Sequence, residues 1–287
     1  MIGHIELDIL SIIGLLIVTA YLGSKVVQRA GIPQVVGFIL VGLLLGTSFL
    51  NIVPLELTYE LEFISEIALG LIGFEIGSHL RLKELRRMGR MILLIVLGES
   101  LGTFLLVAAG VYVLTGSNYT ALIFGALAAA TAPAATVDVL AEYRAEGPLT
   151  TTILAVVGLD DVIALLLFSF AAAIAESLLA QTGGLPWQQM LILPLQEIGS
   201  ALLIGIGIGV PFQWLLDHLK GRHAVYAYIV GTVLLVAGLA NSFHASLILA
   251  TMTMGIVVTN VKSDNSQYVR CVVERVCLLY TSPSPRD

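Results

Sequence analysis

Apolar residues fall into nine long runs separated by short polar stretches, at about 9–27, 32–50, 61–80, 91–115, 120–141, 149–179, 191–216, 224–240 and 244–261. Most are close to the length a helix needs to cross the hydrocarbon of a bilayer. The links between them are short, so successive runs must pack as antiparallel neighbours. The pattern predicts an all-α polytopic membrane protein with about nine transmembrane helices over residues 1–261. A non-membrane tail is expected over 262–287.

Charge adds an orientation to that pattern. Lys25 and Arg29 follow the first run, and Arg81, Lys83, Arg86, Arg87 and Arg90 follow the third. Arg144 follows the fifth, while Lys220 and Arg222 follow the seventh. The links after runs two, four, six and eight contain no Lys or Arg. Basic residues collect on the cytoplasmic side, so the N-terminus is expected outside, in a multi-pass protein of the plasma membrane. The first eight residues lack a basic start and a small-residue cleavage site, so the first run is read as a retained helix and not a signal peptide.

Composition agrees with a chain whose partner is the lipid bilayer. It is 57% hydrophobic and 12% charged, with mean hydropathy +0.97, far from soluble averages. The formal charge of -6 sits mostly in links, and no basic stripe suggests nucleic acid. Cys271 and Cys277 both fall in the tail, so neither a disulfide framework nor a paired metal-ligand set is expected. The last ten residues, from Leu278 to Asp287, read like a translated sequencing-adapter scar and are set aside from fold reasoning.

The sixth run holds the main candidate chemistry, Gly158-Leu159-Asp160-Asp161-Val162. An ionised carboxylate at bilayer depth costs several kcal/mol, of order 3 on insertion scales, and two cost more. Such a pair must face a wet cavity, a cation or a partner. A helix-end cap or solvated bend would be the bland alternative, but apolar residues continue on both sides. Two adjacent carboxylates titrate as a coupled unit, able to hold protons and to exchange them for a cation.

The fifth run is the second informative stretch: Ala128-Ala129-Ala130-Thr131-Ala132-Pro133-Ala134-Ala135-Thr136-Val137-Asp138. A mid-helix proline removes a hydrogen bond and clashes with the preceding turn, freeing carbonyls. In a membrane, freed carbonyls persist only where protein or a water-lined cavity covers them. Thr131, Thr136 and Asp138 add oxygen ligands nearby. Broken helices at midplane are how secondary transporters hold ions; a plain proline kink is the simpler alternative.

Other polar positions carry less. Gly42 and Gly46 make a small-xxx-small face in the second run and predict close helix packing. Glu62 and Glu66 are expected at the outer interface. Glu75 is expected to pair with Arg81 or Arg86 in preference to a transport role. Glu99 is balanced between a buried interhelical hydrogen bond and a place on an ion path. Gly205, Gly207 and Gly209, in the same run as Glu197, predict close packing and flexibility. His244 is expected at the surface.

Taken together, Ile32-Pro33 through Leu45-Gly46, Gly73-Phe74-Glu75 with its basic link, Thr131-Ala132-Pro133 and Asp160-Asp161 occur in an order that resembles the monovalent cation/proton antiporter superfamily. The match is to its second branch, with Kef-type potassium and Nap-type sodium antiporters, and covers about residues 8–261. Ala245 to Asn260 also resembles the small-residue helix found at that place. The resemblance implies a fold of twelve or thirteen helices in inverted repeats, the architecture general to such transporters. It implies a core with two crossed, partly unwound helices, and a separate panel that makes a homodimer. By position, Asp161 matches the principal cation and proton carboxylate. Asp160 matches a position that is Asp in many electrogenic members, and Thr131, Ala132 and Pro133 match the unwound crossing. With nine helices the chain departs from the family in lacking the last core helices, so a C-terminally truncated fragment is expected. A cytosolic regulatory domain in the full-length protein is also compatible with the family.

The expected activity is therefore not enzymatic. It is secondary transport that exchanges Na⁺, K⁺ or Li⁺ for protons at Asp160, Asp161 and Thr131, without a cofactor, and with Asp138, Glu75 and Glu99 as accessory candidates. A channel or a symporter of related fold is the nearest rival. An intramembrane aspartyl protease using Asp138 and Asp161 is more remote, because Leu159 stands where its motif needs glycine.

Overall fold

A computed structural model describes residues 9–47, 49–80, 82–180, 187–216, 218 and 222–261. Arg81, Lys220, both cysteines and the tail from Lys262 onward lie outside the described residues. Every regular element within them is helical.

The nine apolar runs all have helical counterparts. They are α1 (Ile9–Arg29), α2 (Gln34–Leu45), α4 (Glu62–His79), α5 (Leu82–Thr115), α6 with α7 (Asn118–Ala128 and Pro133–Glu142), α8 (Pro148–Ala180), α9 (Trp187–Leu216), α10 (Arg222–Ser242) and α11 (Leu247–Asn260). A short α3 (Leu55–Glu60) is additional. Among the described residues, six spans are long and apolar enough to cross a membrane: Ile9–Arg29, Gly89–Thr115, Asn118–Glu142, Pro148–Ala175, Ile192–Leu216 and Ala224–Ser242. Gln34–Leu45 and Leu247–Asn260 are shorter apolar helices. The chain is thus an all-α polytopic membrane protein.

Two boundaries differ from the sequence pattern. The second run was expected to stay apolar helix to residue 50, but α2 ends at Leu45. Beyond it the chain folds back, with the amides of Ile52 and Val53 both reaching the carbonyl of Leu45. The basic link after the third run is helical, since α5 begins at Leu82. At about 1.5 Å per residue its 34 residues reach about 51 Å, well beyond a hydrocarbon core of about 30 Å. Lys83, Arg86 and Arg90 can therefore stay exposed on a continuous helix.

The chain divides into two compact units, Met1–Ser65 with Ala135–Ala145, and Glu66–Ala134 with Glu146–Asp287. In the first, Ile12, Leu45, Val53 and Leu57 form an apolar cluster flanked by Leu16, Val41, Ile52 and Leu61. The expected packing face at Gly42 and Gly46 is not the one used. A Cβ on Gly42 would meet open space, and Gly46 is the extended cap after α2. The close approach is at Gly37, where a Cβ would lie 2.9 Å from the amide nitrogen of Ser24 and 3.0 Å from the Gly23 carbonyl oxygen. Ser24, with no exposed surface, is small enough to accept α2 there.

In the second unit α11 is the buried centre, with Leu249 through Gly255 all enclosed. Small residues let its neighbours reach its backbone. Gly73 and Gly77 of α4, Gly158 of α8 and Gly205 of α9 each leave no room for a Cβ against Thr251, Met252 or Thr253. Gly205 and Gly209 fulfil the packing expectation, whereas a Cβ on Gly207 would be free. At the cytoplasmic end predicted by the charges, Asn260 Nδ2 donates to the Leu80 carbonyl at 2.9 Å while its Oδ1 accepts from the Leu82 amide at 2.7 Å. One side chain thereby satisfies the last turn of α4 and the first of α5.

Candidate functional site

The fifth apolar run breaks where its proline predicted. Ser117 caps the start of α6, its Oγ accepting from the Thr120 amide at 3.4 Å. Helix α6 stops at Ala128, and residues 129–132 are not helical. The Ala129 amide tightens to the Ala126 carbonyl at 3.2 Å, closing the turn. Pro133 then opens α7 at a position where the missing N–H is not needed. Such a break exposes the negative end of one helix and the positive end of the next.

Helix α8 runs unbroken past this gap. Gly158 lets it lie against Met252 of α11 and Ile76 of α4. Two residues on, about 200° around the helix, Asp160 points away from that contact. Asp160 has no exposed surface. Thr131 Oγ1 donates to its Oδ2, and no donor meets hydrogen-bonding geometry at its Oδ1. A hydrogen bond thus joins the broken helix to the acidic helix. Asp161 is half-buried beside it, close enough for the two charges to interact.

The other sequence candidates are distributed more widely. Glu99, on α5, has its Oε2 enclosed without a hydrogen-bond partner and interacts electrostatically with Asp160. Glu75 is buried in α4, and Arg81, one of its expected partners, lies outside the described residues. Ala132 is exposed and Pro133 buried at the break. Asp138 is half-buried on α7, in the first unit. It interacts with Glu142 one turn further on. Glu62 is exposed, and His244 is exposed in the turn before α11 with φ 52°.

Sequence reading passed over Glu142. Its Oε1 accepts from Gln28 Nε2 and its Oε2 from the Gln34 amide, each at 2.9 Å. Pro33 offers α2 no side-chain cap, and this carboxylate supplies one from α7. A proline before a helix start was the available signal, but nothing local names the residue that replaces the cap.

Among the described residues no three His, Cys, Asp or Glu side chains converge on one metal-binding point. What the site offers is one buried carboxylate, a hydroxyl and the non-helical backbone of a helix break. These are hard oxygen donors of the kind that suit monovalent cations, in reach of a second carboxylate able to carry a proton.

Residues 13–279 match the transmembrane model of the sodium/hydrogen exchanger. A Na(+)/H(+) antiporter of Enterococcus hirae is 28% identical over 91% of the chain and 68% of its own length. The ammonium/H(+) antiporter subunit AmhT of Alkalihalophilus pseudofirmus is 23% identical over 92% of the chain and 65% of its own length. The solved sodium proton antiporter MjNhaP1 of Methanocaldococcus jannaschii aligns with 95% of the chain and 67% of its own, at a TM-score of 0.65 and 20% identity. The chain spans about two thirds of the length of each.

Proposed function

The chain belongs to the sodium/hydrogen exchanger family, and on that premise we propose that it is the larger part of a secondary transporter exchanging a monovalent cation for protons at Asp160 and Asp161. The observation that carries this reading is the Thr131–Asp160 hydrogen bond, which sets a wholly buried carboxylate against a helix break. Of the three similar proteins, two are sodium/proton antiporters and one is an ammonium/proton antiporter subunit.

The mechanism is competition for one site. With the carboxylates protonated, the pair is uncharged and the buried position is tolerable. When protons leave toward the side of higher pH, the resulting charge is costly unless a cation replaces them. Na⁺, K⁺ or Li⁺ then takes oxygens from Asp160, Asp161, Thr131 and the backbone at 131–133. Net transport follows when the loaded and protonated forms face opposite sides in turn. Two carboxylates permit two protons per cation and hence a voltage-sensitive exchange. No covalent chemistry and no resident cofactor enter this scheme, so the protein acts as a transporter and not as an enzyme.

The same reading places the protein in the plasma membrane with the N-terminus outside, by the distribution of Lys25, Arg29, Lys83, Arg86, Arg90 and Arg144. It works as a homodimer, with residues 1–261 as the membrane portion and 262–287 as a non-membrane tail. The chain spans about two thirds of the length of its relatives, which leaves room for the further core helices that the resemblance implies and for a cytosolic regulatory domain.

The test is collapse of a pH gradient in inside-out vesicles carrying the full-length protein, with Na⁺, K⁺, Li⁺ and ammonium salts added in turn. Cation-dependent collapse that is lost in Asp161→Asn supports exchange and names the cation. Unchanged exchange in that variant would sink the site assignment, and conductance without saturation would favour a channel.

A further inference from the structure

Helix α5 turns a stripe of Ile92, Val96 and Ser100 inward, each at most 2% exposed. Further along, its Phe104 carbonyl and Ala108 come up against Gly125 of α6, where a Cβ would lie 2.8 Å from that carbonyl oxygen. The same helix packs against α8. Glu99 stands at the edge of this stripe, three residues after Val96, and its charge reaches Asp160.

Three oxygen atoms on these two helices are enclosed and without a hydrogen-bond partner: Glu99 Oε2, Ser100 Oγ and Asp160 Oδ1. A buried carboxylate oxygen left unpaired is among the more costly groups a fold can carry. The sequence supplies no Lys, Arg or His from 91 to 143 or from 145 to 217, so α5 beyond Arg90, α6, α7, α8 and α9 contain no basic side chain to answer it. A positively charged guest answers Glu99 and Asp160 together. Thr131 already occupies Oδ2 of Asp160, leaving Oδ1 for that guest.

We propose that Glu99 is a further ligand of the transported cation, supplying an oxygen from α5 to the ion held at Asp160. This rests on the reading that Asp160 and Asp161 form the exchange site. The remaining oxygens would come from Asp161, Thr131, the broken backbone and water. Glu99 then sets affinity for the ion, while Asp161 remains necessary for exchange itself.

The experiment compares Glu99→Gln with the unaltered full-length protein, using NaCl and LiCl as probes. Two readings are taken: the half-saturating cation concentration for pH-gradient collapse, and the rise in melting temperature of purified protein on adding the salt. Loss of the charged ligand should raise half-saturation about tenfold or more with a maximal rate little changed, and shrink the thermal shift. Glu99→Asp, which keeps the charge on a shorter arm, should fall between the two. Unchanged half-saturation and thermal shift in folded Glu99→Gln overturn the proposal. Should Glu99→Gln fail to fold, an unchanged half-saturation in Glu99→Asp overturns it equally. Loss of exchange in Asp161→Asn alongside a silent Glu99→Gln sinks this inference alone, whereas retained exchange in Asp161→Asn sinks the site.

Discussion

Thr131 donates its hydroxyl proton to Asp160 across the gap between a broken helix and an unbroken one. The residues are 29 apart in sequence, and the bond ties the position of the break to the charge state of the carboxylate. A hydroxyl can give its proton to a carboxylate and still offer a lone pair to a cation, so the contact orients the site without filling it.

Thr131→Ala should therefore weaken cation binding more than it weakens the fold. A hydrogen bond to a charged group contributes about 1.5–3 kcal/mol, which corresponds to about ten- to hundredfold in half-saturating cation concentration. Thr131→Ser keeps the hydroxyl and should remain within a few-fold of the unaltered protein. Equal behaviour of the Ala and Ser variants in vesicle exchange would show that the hydroxyl plays no part.

Asp160→Asn separates the two carboxylates. Asn can accept from Thr131 and keep the geometry, yet it carries no exchangeable proton. Exchange should persist with fewer protons moved per cation, read as a reduced response to an imposed membrane potential. An unchanged charge stoichiometry would remove Asp160 from proton carriage.

Glu142 offers a test of stability instead of transport. Its carboxylate caps α2 through the Gln34 amide and holds Gln28 of α1. An anionic cap at a helix N-terminus gains from both the hydrogen bond and the helix dipole. Glu142→Ala should cost about 1–2 kcal/mol, seen as a lower melting temperature in detergent. Glu142→Gln, which retains an acceptor but no charge, should recover part of that loss.

The comparison of Gly37 with Gly42 shows what the sequence could and could not disclose. Both glycines lie on α2, and spacing alone favoured Gly42 with Gly46. The contact is made by Gly37 because α2 ends at Leu45 and α1 presents Ser24 at that height. Gly37→Val should prevent the two helices from closing, while Gly42→Ala should be tolerated or mildly stabilising, since replacing a helical glycine by alanine gains about 0.5–1 kcal/mol. Folded yield after detergent extraction distinguishes them.

Local signals were enough where the chemistry is local. Pro133 in an apolar run was sufficient to place the break, and adjacent Asp160 and Asp161 were sufficient to mark α8. Pairings that depend on the other end of the chain left no mark in the sequence. Glu142 finds Gln34 across 108 positions, and Asn260 finds Leu82 across 178. Each looks locally like an ordinary polar residue at a helix end. Glu99 falls between: its burial was legible from the surrounding apolar residues, but its neighbour was not.

Asn260 gives the last of these tests. Its amide donates to Leu80 and Ile256 carbonyls and accepts from the Leu82 amide, while adjacent Thr259 donates to the Ser78 carbonyl at 2.7 Å. Together they fasten the end of α11 to the turn between α4 and α5. Asn260→Ala leaves the Leu80 carbonyl and the Leu82 amide without this partner, at a cost of about 1–3 kcal/mol if water does not replace it. Asn260→Asp keeps an acceptor for Leu82 but sets a charged oxygen against the Leu80 carbonyl, so it should not restore stability. Faster hydrogen exchange confined to the Leu82 amide and its neighbours, with a lowered melting temperature, is the expected signature. Unaltered exchange there in Asn260→Ala would mean that the close packing of α11 against Gly73 and Gly77 holds this corner without the side chain.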